Sequence, residues 1–460
     1  MKPKYFLALG LLVLGLGSCG ESFFEQYPSN NITEGNFYKT DDDFNQGVVA
    51  CYAKLKTQMS FHLTEIGYRG DENVLESMAV STQNRYDIDH FAETANNGIL
   101  NDIWNAWYNG IYRCNDVLDH MTGAKIANYD KYRGECLFLR SWWYFNLYRV
   151  FGVVPITRTV VTPAAAKLIP RCTEEEMYTL LTEDLAEAAR LLPPTPGPEK
   201  ARVANIAAYT LLAKVYLTFG KPAEAKTALE EAMKNTSYGL ESTTKKVFDV
   251  GNKMNREIIF ALYYNKTNDN GHGYWYSANT DVLADINNPT PTFKAIYDSE
   301  KDNRLPLISS YTKIKDNLFA MTKWYDTYDA TYTTQVGNDF PHLRYADVVL
   351  MYAEALAESG GSLGDALEWL NKTRTRAGLD ELTTDEVKSL AEFRRELAAE
   401  RGREFALEGH RWFDLVRLGL AVDYFREMGY SLDSHNLIFP IPQNQIEIVN
   451  NPSILWQNPG

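Results

Sequence analysis

Glu400-Arg401-Gly402-Arg403-Glu404-Phe405-Ala406-Leu407-Glu408-Gly409-His410-Arg411-Trp412-Phe413-Asp414-Leu415-Val416-Arg417 interleaves charged residues with aromatic and aliphatic ones along its whole length. At helical spacing Glu400 lies one turn from Arg403 and Glu404, and Glu408 lies one turn from Arg411. Charges mixed this closely with Phe405, Leu407, Trp412, Phe413 and Leu415 cannot all face water. Some must be buried, and a buried charge is tolerated only when it is paired. The stretch reads as a helix carrying a structural ion-pair network, in which Arg411 and Asp414 hold the fold and do not touch ligand. A pair of catalytic carboxylates is the competing reading, because perturbed acids also mark active sites.

Outward from this segment, helical periodicity dominates. Asp41 to Met59 places Phe44, Val48, Cys51, Tyr52 and Leu55 on one face, and Leu100 to Met121 does so with Trp104, Trp107, Tyr108, Ile111, Val117 and Leu118. Tyr132 to Phe151 is apolar on most faces, which predicts a central helix, and Trp104, Trp107, Trp142 and Trp143 read as core. Thr173 with Glu176 forms a capping box that opens the next helix, and Pro193-Pro194 closes it. Tyr209, Leu212, Ala213 and Tyr216, then Gly220-Lys221-Pro222, then Ala225, Leu229 and Ala232 match the spacing of a tetratricopeptide (TPR) helix–turn–helix. A looser version runs from Arg344 to Thr373. The predicted fold is mainly all-α, a few TPR-like helix pairs embedded in a larger helical body.

Two stretches break the pattern, about 61–94 and about 242–341, both rich in Gly, Asn, Asp, Thr and aromatics. Within the second, Glu257 to Tyr264 reads as a short buried strand. Loops this long usually carry function.

The N-terminus sets the compartment. Lys2 and Lys4 precede an apolar run from Phe6 to Leu16 that is too short to span a bilayer, which needs about 20 apolar residues. Leu16-Gly17-Ser18-Cys19 then has the form of a lipoprotein cleavage site, with residues 1–18 as the leader and Cys19 as the lipid-bearing first residue. Loss of the leader takes the formal charge from −14 to −16. So acidic a chain is a poor partner for nucleic acid, whose recognition rests on Lys and Arg. Cys51, Cys114 and Cys136 sit inside helical patterns with no CxxC pair and read as small core fillers, although oxidising conditions would permit pairing.

Four segments together resemble the SusD/RagB family of Bacteroidetes outer-membrane lipoproteins. Glu400 to Arg417 is similar to its signature E-R-x-x-E-x-x-x-E-G-x-R-x-x-D-L-x-R at every defining position. Gly134-Glu135 through Leu139-Arg140 to Phe151-Gly152-Val153-Val154-Pro155, Arg344-Tyr345-Ala346-Asp347 with Met351-Tyr352-Ala353-Glu354-Ala355, and Phe439-Pro440-Ile441-Pro442 with Gln457-Asn458-Pro459-Gly460 resemble further family stretches in the family's order. The resemblance implies one SusD-like domain over 19–460, with a helical half to about 235 and a half from 236 holding the loop-rich region and the signature helix. It implies an outer-membrane protein, lipid-anchored and facing the cell exterior. Its role would be to bind nutrient, most often oligosaccharide, for a SusC-like TonB-dependent transporter, and not to act as an enzyme.

Motifs for catalysis are missing: no HExxH, GxSxG, GxxxxGK[ST] or CxxC occurs, and the seven histidines form no ligand-spaced pair. No cofactor or metal is expected. An all-helical glycosidase would need two carboxylates placed across a sugar, which sequence cannot locate among 60 acids. A TPR-type scaffold for protein partners would explain the helix pairs but leave the aromatic loops without a purpose. Sugar rings stack on Trp and Tyr while their hydroxyls seek Asn, Asp, Arg or Gln. The loops supply both, and the expected ligand contacts are Tyr68, Asp71, Arg85, Tyr86, Tyr274, Trp275, Tyr276 and Trp324, with Arg69, Asn73, Asn84, Asn279, Tyr325, Tyr328 and Tyr332 nearby.

Overall fold

A computed structural model of the protein describes residues 37–72, 83–264, 277–279, 289–315, 318–326 and 337–459. The leader, Cys19, Asn73, Tyr274 to Tyr276, Tyr328 and Tyr332 lie outside the described residues. The first half is helical: α1 (Asp41–Gly67), α2 (Gln83–Asp89), α3 (Gly98–Met121), α4 (Tyr129–Phe151), the single turn α5 (Pro163–Ala166), α6 (Glu174–Leu191), α7 (Asn205–Thr218) and α8 (Pro222–Met233). A mixed region follows with α9 (Thr244–Val247), β1 (Ile258–Leu262), β2 (Ser277–Asn279), α10 (Pro291–Lys294), α11 (Leu305–Ser309), β3 (Tyr311–Lys315), β4 (Leu318–Met321) and β5 (Phe340–Arg344). Helices resume with α12 (Tyr345–Glu358), α13 (Leu363–Ala377), α14 (Leu390–Glu404), α15 (Arg411–Arg417), α16 (Ala421–Glu427) and α17 (Gln443–Val449). The expectation of a mainly helical fold with a little β structure holds.

Local chemistry explains the boundaries. Thr173 and Glu176 cap α6 reciprocally, and the helix ends before Pro193. Gly220, at φ +66°, makes the turn between α7 and α8 that a side chain would strain. The strand expected between Glu257 and Tyr264 is β1, buried at all five positions and paired antiparallel with β5. β2, β4 and β3 form a second, antiparallel sheet.

α4 is central, as its composition predicts. It packs between α3 and α6, and Trp107, Trp142 and Trp143 are all enclosed. Gly110 allows α3 and α4 to approach closely: a Cβ there would stand 2.2 Å from Trp143 Cε2. The TPR-like pairs α7/α8 and α12/α13 both form, and α8 packs on α12 across more than a hundred residues of sequence. Tyr352 Oη donates to Glu230 Oε1 across that junction at 3.1 Å, and Lys214 of α7 pairs with Asp347 of α12. α3, α4, α6, α7, α8, α12, α13 and α14 thereby follow one another as a stack of neighbours. Cys51, Cys114, Cys136 and Cys172 are buried free thiols.

The signature segment departs from the single helix read in the sequence. α14 stops at Glu404, a turn follows with Leu407 at φ +64° and Gly409 at φ +75°, and α15 begins at Arg411. The break takes Glu408 off Arg411 and turns it to Arg344, whose Nε lies 2.8 Å from Glu408 Oε2. A continuous helix would keep both glutamates on one rod. The turn instead lets Glu404 and Glu408 meet the same guanidinium.

Candidate functional site

The loop-rich excursions leave the helical body at points gathered around that turn. At the end of α1 the chain passes through Tyr68 and Arg69 to Asp71. The Asp71 carboxylate receives Arg411 Nε at 2.8 Å and the Tyr424 hydroxyl, and its backbone carbonyl receives Thr290 Oγ1 at 3.0 Å. Thr290 caps α10, directly after another excursion. Lys323, in the short 3-10 turn after β4, donates to Glu408 Oε1 at 2.7 Å and to the Ala406 carbonyl. Asp326 Oδ2 accepts from the Gly337 amide at 2.8 Å, closing the base of the span 327–336. Arg411, Glu408 and Ala406 of the signature thus tie down chain on both sides of the excursions.

These ties correct the sequence reading at three positions. Asp71 is 2% exposed and serves as counter-ion to Arg411, Tyr68 is 3% exposed, and Trp324 is fully enclosed, edge-on to Phe248 at 5.1 Å. All three are enclosed by the fold. The physical reason is shared: a residue next to the root of a long loop must anchor that loop, and an aromatic or charged side chain does so by entering the core.

Arg85 and Tyr86 are different. Both lie on the first turn of α2, and the Arg85 side chain is 27% exposed with Nε 3.2 Å from Glu65 Oε1. Tyr86, half-buried, stacks on His90 with ring centres 3.8 Å apart and planes 17° from parallel. Phe91 packs edge-on to Tyr430 at 5.2 Å, which brings the chain after α16 to the same patch. Burial pushes the Glu65 carboxyl up to about 7 against the pull of Arg85, so it can donate as well as accept near neutral pH. Glu72, fully enclosed beside Asp71, is pushed up to about 8, first by burial and then by that neighbouring charge. An aromatic plate flanked by a guanidinium and an imidazole can stack on an apolar ring face and hydrogen-bond its hydroxyls. Sequence reading missed Glu65, His90 and Tyr430. The Tyr86–His90 spacing of four on a short helix could have found His90, whereas nothing in the local pattern marks the other two. Among the described residues no group of His, Cys, Asp and Glu could hold a metal, and no helix is long and apolar enough to cross a membrane.

The four segments that carry the resemblance meet in space. Arg401 Nη1 of the signature lies 2.9 Å from Asp347 Oδ1 on α12. The Phe439 amide donates to the Val150 carbonyl at the end of α4 at 2.8 Å, and Asn458 Nδ2 donates to the Phe151 carbonyl at 2.9 Å. Comparison with known proteins agrees with this arrangement. Residues 27–217 match a family model described as "Starch-binding associating with outer membrane", and residues 287–460 match the model of the SusD family. SusD-like protein P2 of Formosa agariphila is 26% identical, with 99% of each chain covered. A SusD superfamily crystal structure from Bacteroides vulgatus superposes with a TM-score of 0.77 at 23% identity, covering 92% of this chain and 99% of that one. Surface glycan-binding protein A of Bacteroides thetaiotaomicron, in complex with laminarihexaose, gives 0.75 at 21% identity over 91% of this chain and 99% of that one. With the signature intact, its charges placed as the shared anchor of the loops, and family models matching both halves, the chain belongs to the SusD/RagB family.

Proposed function

We propose that the mature protein is a lipid-anchored, surface-exposed binder of oligosaccharide that delivers its ligand to a SusC-like TonB-dependent transporter of the outer membrane, without cleaving it. The patch of Arg85, Tyr86 and His90 beside the converging loop roots carries this reading, because it couples a stacking plate to part-exposed hydrogen-bonding groups, with Glu65 enclosed behind Arg85. The family-model description of starch binding and outer-membrane association supports it, as does the laminarihexaose held by the relative of similar fold. Tyr274, Trp275 and Tyr276 extend the proposed contacts into the excursion that follows β1.

A glycan array followed by calorimetry on wild type, Tyr86→Ala and Trp275→Ala tests the binding. Saturable binding of a neutral oligosaccharide without product release is expected. Each variant should weaken it by about 1 kcal/mol or more, the usual size of an aromatic contact beyond its area, with helical content unchanged. Release of shortened sugars by the wild type would favour a helical glycosidase, and a blank array would favour a protein-binding scaffold. The anchor is tested separately: lipid label should enter the wild type and not Cys19→Ala, and a Cys19→Ala protein that stays labelled and membrane-bound overturns it.

A further inference from the structure

Away from the loop region lies a cavity of about 280 Å³ between the end of α4, α7, α15 and the stretch before Phe439, bordered by Arg149, Lys214, His410, Asp414 and Arg417. Three of these charges are already matched. Lys214 pairs with Asp347, and Arg417 pairs with Glu354 and with Asp414 Oδ1 at 3.1 Å. Asp414 also receives Arg401 at 2.8 Å, and Arg401 reaches Asp347 at 2.9 Å. Burial holds His410 neutral, its pKa well below the usual histidine range. Lys214, Arg401, Arg417 and Arg149 therefore face Asp347, Asp414 and Glu354, four cations against three carboxylates.

Arg149 is the cation left over. Its guanidinium lies 3.9 Å above the Phe413 ring centre and 4.7 Å from that of Phe145, and its hydrogen bond to protein goes to Asn146 Oδ1. Nε is enclosed without a partner. Stacking and a place in the last turn of a helix both favour a cation here. Neither satisfies the donors in the guanidinium plane, which seek oxygen. Water could meet the donors but would leave the charge uncompensated. Burial pushes the Arg149 pKa down to about 9, with Asp414 and Asp347 opposing, as expected for a cation without a close counter-ion.

We propose that this cavity binds one compact oxyanion, a carboxylate, sulfate or phosphate group, held by Arg149 with Lys214 and Arg417 at its border. The volume falls just under the roughly 300–1,000 Å³ usual for small-molecule pockets. An inorganic anion or the acid group of a single sugar fits within it. The inference is independent of the loop-borne glycan site, with which the cavity shares no lining residue.

Calorimetric titration of the mature full-length protein with sulfate, phosphate and glucuronate, each at constant ionic strength against chloride, tests it. One saturable site per chain is expected. Arg149→Gln should weaken it by about ten-fold or more, the loss of a charge-assisted contact, and Arg149→Lys should fall between the two. Arg158→Gln, which removes a surface cation paired with Glu183, should leave binding unchanged. Tighter binding of sulfate and phosphate identifies a free ion as the ligand, and tighter binding of glucuronate identifies an acidic sugar. No saturable heat beyond chloride in the wild type overturns the proposal. Undiminished affinity in Arg149→Gln overturns it as well, and where that variant fails to fold, undiminished affinity in Arg149→Lys does the same.

Discussion

Arg344→Met is expected to lower unfolding stability by about 3–5 kcal/mol, the range for removing one member of a buried ion pair, and more if its three partners respond independently. Arg344 is 1% exposed. Its Nη1 lies 2.8 Å from Glu257 Oε1 and 2.6 Å from Glu404 Oε1, and its Nε lies 2.8 Å from Glu408 Oε2. Methionine fills much of the volume but leaves three enclosed glutamates sharing the remaining cations. Glu404 keeps Arg304 at 2.9 Å and Arg376, Glu257 keeps Arg376, and Glu408 keeps Lys323. Arg344→Lys should recover only part of the loss, since one ammonium cannot span carboxylates that a planar fork reaches from several sides. Urea unfolding followed by circular dichroism measures both variants. A shift under about 1 kcal/mol for Arg344→Met, the size typical of an exposed pair, would show that the network relaxes around the gap.

That a network of this kind exists was legible in the sequence, because Glu400 to Arg417 places too many charges among aromatics for solvent to accommodate. Which partners it uses was not. Arg411 pairs with Asp71, 340 positions away, and Arg401 bridges to Asp347 on another helix. Local spacing suggested Glu408 with Arg411, and the left-handed turn at Leu407 removes that pairing. Helices α8, α12 and α13 were readable because an apolar stripe of period 3.6 repeats along each, and α7, apolar on most faces, because Tyr209, Leu212, Ala213 and Tyr216 have the spacing of a TPR helix. The seam between α8 and α12 was not, since nothing in either stripe names its counterpart.

The candidate site shows the same division. Composition located the loop regions, because aromatics among Gly, Asn and Asp stand apart from helical stripes. It could not distinguish Tyr86, which lies half-buried on the short helix α2 and stacks on His90, from Tyr68 and Trp324, which face inward. In a helix, period assigns a side chain to core or solvent. In an irregular segment no period exists, and only the tertiary position of each root decides. Asp71 illustrates the consequence: beside Tyr68 and Arg69 it reads as sugar-binding chemistry, and in the fold it neutralises Arg411.

Stability should rise as pH falls from 8 to about 5 and then collapse below about 4, with opposite sets of acids responsible. Glu72 sets the upper limb. It is fully enclosed, its Oε1 has no partner, and burial with Asp71 alongside pushes it up to about 8. A carboxyl whose folded pKa lies above its unfolded value, near 4.3, takes up its proton in the folded state first. Between these two values folding gains up to about 1.4 kcal/mol per pH unit. Glu65, pushed up to about 7 by burial against Arg85, adds to the same limb. His62 opposes it below pH 6.5, because burial pushes its pKa down to about 4 and the unfolded chain protonates first. The network acids set the lower limb. Burial alone would raise Glu404 and Asp414, but Arg376, Arg344 and Arg304 around the first, and Arg401 and Arg417 around the second, bring each down to about 2. Asp347 and Glu400 are lowered in the same way by Lys214 with Arg401 and by Arg304 with Arg403. Their stabilisation is present above the unfolded carboxyl range and is lost as pH falls toward 2. Urea midpoints at pH 8, 5.5 and 3 should therefore peak at 5.5, and Glu72→Gln isolates the upper limb. Glutamine is neutral at every pH, so the variant should be more stable than wild type at pH 8, by a margin that shrinks by up to about 1.4 kcal/mol per pH unit on the way to pH 5.5. If Glu72→Gln were instead destabilised equally at both, Glu72 would be an ionised partner in the network, and the rise between pH 8 and 5.5 would need another acid.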